Sequence, residues 1–179
     1  DTMERGPDVR ELIDARYLAD YEIYGPPISI DVSGVEVGAD GDYKRGQLHD
    51  AAEKSTITGD IVDWYLRLAA GKIGATFVVD LQFAEDTTRR FQHYGVPAAM
   101  ISATTPDVYR NQVMSDLRCG IIKNVVNVDI LGEGVDVPGL EVVSQGRPTE
   151  SFALNRQQQG RAMRPKPGGK PGGNSNSTF

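Results

Sequence analysis

Residues 75–102 read ATFVVDLQFAEDTTRRFQHYGVPAAMIS, and the fold turns on a change of period within this stretch. The run ATFVVD, residues 75–80, is short and apolar at consecutive positions, as in a strand buried on both faces. AEDTTRRFQHY, residues 84–94, has the spacing of a helix and is stopped by Gly95 and Pro97. AAMIS, residues 98–102, is a second short apolar strand. A helix between two such strands is the unit that joins parallel neighbours in a sheet.

The same alternation continues in both directions. TPDVYRNQVMSDLR, residues 105–118, reads as a helix with Thr105 as its cap and Pro106 at its first position. NVVNV (124–128) and LEVVS (140–144) read as further strands. Upstream, a helix is expected to begin at Thr58, with Ile57 and Val62 as a hydrophobic staple, and to run through IVDWYLRLAA to Gly71. Helical periodicity also starts near Gln47, and a short helix with Pro7 in its first turn precedes the extended YEIYGPP of residues 21–27. The expected fold class is α/β: a mostly parallel sheet with helices on both faces.

The chain has 179 residues, the length of one ordinary domain, and 39% apolar residues, enough for a sizeable core. A net charge of −6 argues against a free-standing module that grips nucleic acid with a broad basic face. The single cysteine, Cys119, excludes an internal disulfide and a multi-cysteine zinc site, and it fits a reducing, cytoplasmic setting. No run approaches a membrane span, so no membrane partner is expected. The tail PKPGGKPGGNSNSTF, residues 165–179, has the composition of a flexible segment.

Several chemistries are missing. No G-x-x-x-x-G-K-[ST] loop occurs, and GEGVDVPG (132–139) has its glycines out of register for a dinucleotide fingerprint. No metal-ligand set is assigned in this chain. His49 and His93 lie on expected helices without a nucleophile nearby in sequence and read as surface or packing residues. Ser102 follows a strand but has no activating partner in sequence.

Ligands of such sheets gather at the carboxyl ends of the strands, and two loops there are unusual. In VDILGEGVDVPGLEVV, Gly134 allows close backbone approach and Asp136 can accept from ribose hydroxyls, although a tight structural turn with a capping aspartate explains the same residues. In SFALNRQQQGRAMRP, residues 151–165, Gln157, Arg161 and Arg164 stack on one helix face at i, i+4 and i+7. Two guanidiniums on one stripe suit phosphate oxygens, and a solvated helix face is the bland alternative. Gly160 inside this helix is expected to let its backbone come close to neighbours.

Taken in order, the loops resemble the second RecA-like domain of superfamily 2 helicases of the DEAD/DEAH type. FVVDLQFAEDTTRRF looks like motif IV, GEGVDVP like motif V and QQQGRAMR like the Q-x-x-G-R-x-x-R of motif VI; the likeness covers roughly residues 8–167 and is strongest to restriction-enzyme motor subunits and excision-repair translocases. The resemblance implies an ATP site shared with a first RecA-like domain, which would supply the phosphate loop and the Mg ligands. Arg161 and Arg164 would be catalytic arginine fingers, Gln157 would help position them, and Gly134 and Asp136 would touch the nucleotide or couple it to nucleic acid. Thr104 and Thr105 would lie near the nucleic-acid backbone, with DNA favoured over RNA. The implied organisation is 1–27 as the remnant of an inter-domain connector, 28–165 as the helicase C-terminal RecA-like domain and 166–179 as a flexible tail. The chain alone is expected to be inactive, and its sheet is expected to have an edge beyond motif VI that something else caps. Asp80 stands where the family commonly has a small hydroxyl residue, Val128 where many members have threonine, and Gln159 where an aliphatic is usual. These positions keep open a second reading, a non-catalytic RecA-like module that binds nucleic acid or protein. A third, a nucleotide-sugar or dinucleotide-binding domain, gives no reason for the paired arginines.

Overall fold

A computed structural model describes residues 6–25, 31–39, 41–53, 57–128, 140–148, 160, 163 and 177–178. Its centre is the stretch that the period change marks out: β2 (Gly74–Phe77), α4 (Leu81–His93), β3 (Ala98–Ile101), α5 (Asp107–Arg118), β4 (Asn124–Asn127) and β5 (Val142–Gln145). Ahead of them come α1 (Val9–Asp14), β1 (Tyr21–Glu22), α2 (Arg45–Glu53) and α3 (Ile57–Leu68), and β6 (Ser177–Thr178) follows.

The strands form one sheet in the order β1-β6-β5-β2-β4-β3, and every pairing is parallel. Central β2 is held on both sides in the same register: Gly74 stands opposite Asn124 and Val142, and Phe77 opposite Asn127 and Gln145. The β5 edge, expected to be capped by something else, carries β6 of the same chain, whose Thr178 pairs with Val142.

Alternate strand residues enter two separate cores. Ala98, Val126 and Val142 join Val62, Tyr65, Phe83 and Phe91 of α3 and α4. Their neighbours Ala99, Val125 and Val143 join Val113, Met114 and Leu117 of α5. The two-residue repeat of a strand therefore explains why β3 to β5 read as unbroken apolar runs: both faces are covered. Burying each large side chain stabilises by ~1.5–3 kcal/mol, so the sheet is fixed from both sides.

Local corrections follow from cap chemistry. Asp8, not a proline-led turn, starts α1 with a capping box: its carboxylate accepts from Glu11 N at 2.8 Å, and Glu11 accepts from Asp8 N at 3.0 Å. α3 starts at Ile57, which places Thr58 within the helix instead of at its cap. Pro106, not Thr105, is the N-cap residue of α5, and no side chain caps that helix. The end of α4 matches its sequence signal, with Gly95 at φ +75°, where a side chain would be strained.

Phe91 is fully buried and meets Tyr65 edge to face at 5.2 Å. Phe91→Ala is expected to cost ~3–5 kcal/mol in a urea unfolding curve. Tyr65 is 2% exposed and donates to Lys72 O at 2.7 Å. Burial, ahead of the nearby Glu141 carboxylate, pushes its hydroxyl up to about 12 from 10.0. The unfolded chain then loses this proton first, so the contribution is complete below pH 10 and is lost as pH rises towards 12. Tyr65→Phe should flatten that alkaline fall when stability is measured against pH.

Candidate functional site

Because the strands are parallel, the loops after β2, β3, β4 and β5 emerge at one edge of the sheet. The loop after β2 ends at Asp80, the N-cap of α4. Its Oδ1 accepts from Phe83 N at 2.8 Å, and its Oδ2 lies 2.7 Å from His49 Nδ1 on α2. A carboxylate suits this place, since it satisfies an otherwise open N–H and lies at the positive end of the helix dipole. His49, read from sequence as surface or packing, is thereby a partner at the strand end.

The loop after β3 gathers three hydroxyls. Thr105 Oγ1 accepts from Ser102 N at 2.8 Å and lies 3.3 Å from Ser102 Oγ, while Thr104 Oγ1 is 3.0 Å from the same Ser102 oxygen. This is why Thr105 does not cap α5: its oxygen faces back to the strand. Thr104 is exposed and Thr105 half-buried, so Thr104 presents the more accessible hydroxyl. Arg110 Nη2 donates to Thr105 O at 3.0 Å and Arg110 Nη1 lies 3.3 Å from Asp107, bringing a cation beside the loop. Thr104, Thr105, Leu81 and Tyr109 border a groove of about 500 Å³ that runs along β3. The groove thus offers the hydroxyls of Ser102, Thr104 and Thr105 and an exposed tyrosine as hydrogen-bonding groups, with the Glu85 carboxylate also on its lining.

The remaining two loops carry the other expected residues. Val128 N donates to Ile101 O at 3.2 Å, and beyond it Gly134 and Asp136 lie outside the described residues. After β5, Gly146 N donates to Phe77 O at 2.7 Å. A Cβ at Gly146 would stand 2.6 Å from Ile61 Cδ1 and 3.1 Å from Phe77 O, so a side chain there requires its neighbours to shift. Arg147 Nη2 then donates to Asp42 Oδ2 at 3.0 Å. Gln157, Gln159, Arg161 and Arg164 lie outside the described residues. Gly160 is helical, and a Cβ there would meet nothing within 4 Å among the described residues. Met163 is buried, and its carbonyl accepts from Ala19 N at 2.8 Å.

Sequence reasoning thus places Thr104 and Thr105 at the strand ends and misses Asp42, His49, Arg110 and Arg147. The available signals were slight: a carboxylate closing a buried strand at Asp80, and an arginine directly after a strand-end glycine at Gly146. Among the described residues, no helix is long and apolar enough to cross a membrane.

Helices on both faces of this parallel sheet, with its loops gathered at the strand ends, give the RecA-like fold that the solved structures below share. Residues 65–166 match the family described as helicase conserved C-terminal domain, more than half of the chain, and the chain belongs to it. It is 38% identical over 164 residues to a 51.5 kDa protein of a Lactococcus phage (isolate 7-9), covering 92% of this chain and 36% of that protein. A Saccharomyces cerevisiae protein (strain ATCC 204508 / S288c) carrying the provisional name ATP-dependent helicase IRC3 is 26% identical over 159 residues, 87% of this chain and 23% of its own length. UvrABC system protein B of Anaplasma marginale (strain Florida) is 26% identical over 137 residues, 76% of this chain and 19% of that protein. The chain therefore spans about a third or less of these relatives. Among solved structures, the E. coli DEAD-box protein SrmB, bound to regulator of ribonuclease activity A, shares the fold with a TM-score of 0.56 at 18% identity, over 68% of this chain and 67% of that one. The Pyrococcus furiosus Hef helicase domain gives a TM-score of 0.52 at 16% identity, over 74% of this chain and 28% of that one.

The double use of Asp80 can be separated by substitution. Asp80→Ala should cost ~0.5–2 kcal/mol of stability through the lost cap, whereas Asp80→Ser should cost only a few tenths, because serine caps nearly as well. Paired urea unfolding curves measure the difference.

Proposed function

We propose that this chain is the C-terminal half of an ATP-dependent helicase or translocase. ATP would bind between it and a first RecA-like domain, which contributes the phosphate loop and the Mg ligands. Arg161 and Arg164 act as arginine fingers that neutralise charge developing on the phosphoryl group, and Gln157 orients them. Gly134 and Asp136 contact the nucleotide, and the Thr104 and Thr105 hydroxyls contact the phosphate backbone of the track. DNA is the proposed track and the cytoplasm the proposed location; the isolated chain hydrolyses no ATP because half of the site belongs to the other domain. The observation that carries this reading is the extent of the family match, which runs to residue 166 and so takes in the Q-x-x-G-R-x-x-R of residues 157–164.

One observation favours the second reading, a non-catalytic binding module: Asp80, in the place of a hydroxyl that could donate to phosphate, is an acceptor engaged by Phe83 N and His49. The two readings separate in the full-length protein. Arg161→Ala is expected to lower nucleic-acid-stimulated ATP hydrolysis by about 10³- to 10⁵-fold, with single-stranded DNA the better stimulator than RNA. Unchanged hydrolysis in Arg161→Ala would sink the finger assignment, and no hydrolysis by the parent protein would favour the module.

A further inference from the structure

β3 is the outer strand of its flank and forms the floor of the groove that Thr104 and Tyr109 border. The carbonyls of Pro97 and Ile101 accept from residues around β4, so the main-chain groups of Ala98, Met100 and Ser102 turn the other way. Gln92 Nε2 donates to Ala98 O at 2.9 Å, and Thr105 Oγ1 accepts from Ser102 N at 2.8 Å. Between these two bonds the N–H and C=O of Met100 have no partner among the described residues, and Met100 is on the groove lining. Thr88, also on the lining, is 8% exposed, and its hydroxyl lacks a hydrogen-bond partner among the described residues. The groove volume of about 500 Å³ is in the range of small-ligand sites. Charge sorts its occupants. Glu85 places a carboxylate on the lining, which repels phosphate and accepts from an uncharged donor. Tyr109, in the first turn of α5, is 52% exposed and presents a ring at the rim.

We propose that this groove takes one base of the nucleic-acid track, an adenine or a cytosine, while the adjoining phosphate stays outside it at Thr104. This rests on the reading of Thr104 and Thr105 as backbone contacts. The pairing edge of adenine or cytosine carries a ring-nitrogen acceptor beside an amino donor, which answer the N–H and C=O of Met100. The second amino hydrogen is left for Glu85, as carboxylates elsewhere accept from a cytosine amine. Thymine has no amino group, and its carbonyl oxygens would face the carboxylate. The opening at Met100, a single residue long, is matched to the edge of a flat ring, and the face of that ring stacks on Tyr109.

The test is equilibrium binding by the full-length protein, with a non-hydrolysable ATP analogue present, to oligo(dC), oligo(dT) and an abasic strand of the same length. All are measured at one low salt concentration, where backbone contacts hold even the abasic strand. Oligo(dC) should bind more tightly than oligo(dT). Tyr109→Ala should weaken oligo(dC) by about 5- to 10²-fold while leaving the abasic strand within about twofold, and Tyr109→Phe, which keeps the ring, should bind as the parent does. Glu85→Gln should narrow the gap between oligo(dC) and oligo(dT), and it decides the question if Tyr109→Ala does not fold. Thr104→Val should weaken oligo(dC) and the abasic strand alike, by about 10-fold, because it removes a phosphate contact. A parent protein that prefers oligo(dT), or an unchanged gap in Glu85→Gln, overturns the proposal. If Thr104→Val weakens both strands while Tyr109→Ala weakens neither, or weakens both equally, only the base site fails. If Thr104→Val changes neither, the backbone reading of this loop fails and takes the base site with it.

Discussion

Everything described here depends on β2 being gripped from both sides in one register. Its residues Gly74 to Phe77 face Asn124 to Asn127 on one flank and Val142 to Gln145 on the other. A slip of one residue would exchange the two faces of the strand, sending Ala75 and Phe77 into the wrong core. That cost locks β4 and β5 beside β2, and with them the level at which their loops emerge. A buried hydrogen bond from Thr76 Oγ1 to Asn124 Oδ1, at 2.9 Å, adds a polar check on the β2 and β4 pairing. Polar pairs in a dry interior penalise misalignment more sharply than apolar contacts do, because a slipped partner leaves a desolvated group unmatched.

The strand-end edge inherits this precision, and its charges are arranged accordingly. Asp80 and Asp42 each face a basic side chain from a distant segment, His49 and Arg147 respectively. Both pairs bind the region ahead of α3 to the ends of β2 and β5. Among the described residues between β1 and α3, regular structure is confined to α2 and an isolated bridge between Val37 and Tyr43. They serve as a brace across the working edge, attached by electrostatics instead of by strand pairing.

How much of this was legible in the sequence follows from the range of each interaction. The β2 to β4 alternation was visible because it is written in local periodicity, and helix ends such as Gly95 because backbone conformation restricts the residue. Thr105 was misread as a cap because its hydroxyl has two local uses, and the bond to Ser102 N won. β1 and β6, of two residues each, are too short to carry any pattern. The pairs Asp80 with His49 and Asp42 with Arg147 join residues 31 and 105 positions apart, and only the completed topology brings them together. For Gly134, Asp136, Gln157, Arg161 and Arg164, the resemblance in motif spacing speaks where the described residues do not.

The far flank of the sheet has a different consequence. β3 is the last strand on its side, and the carbonyls of Pro97 and Ile101 turn inward to the residues around β4, so those of Ala98 and Met100 turn out. The amide of Gln92 donates to Ala98 O at 2.9 Å, and Thr105 Oγ1 takes the N–H of Ser102. Side chains have thus occupied main-chain groups at both ends of the strand, leaving only the short run around Met100 open. An edge so interrupted makes β3 a poor template for pairing with a strand of a second chain.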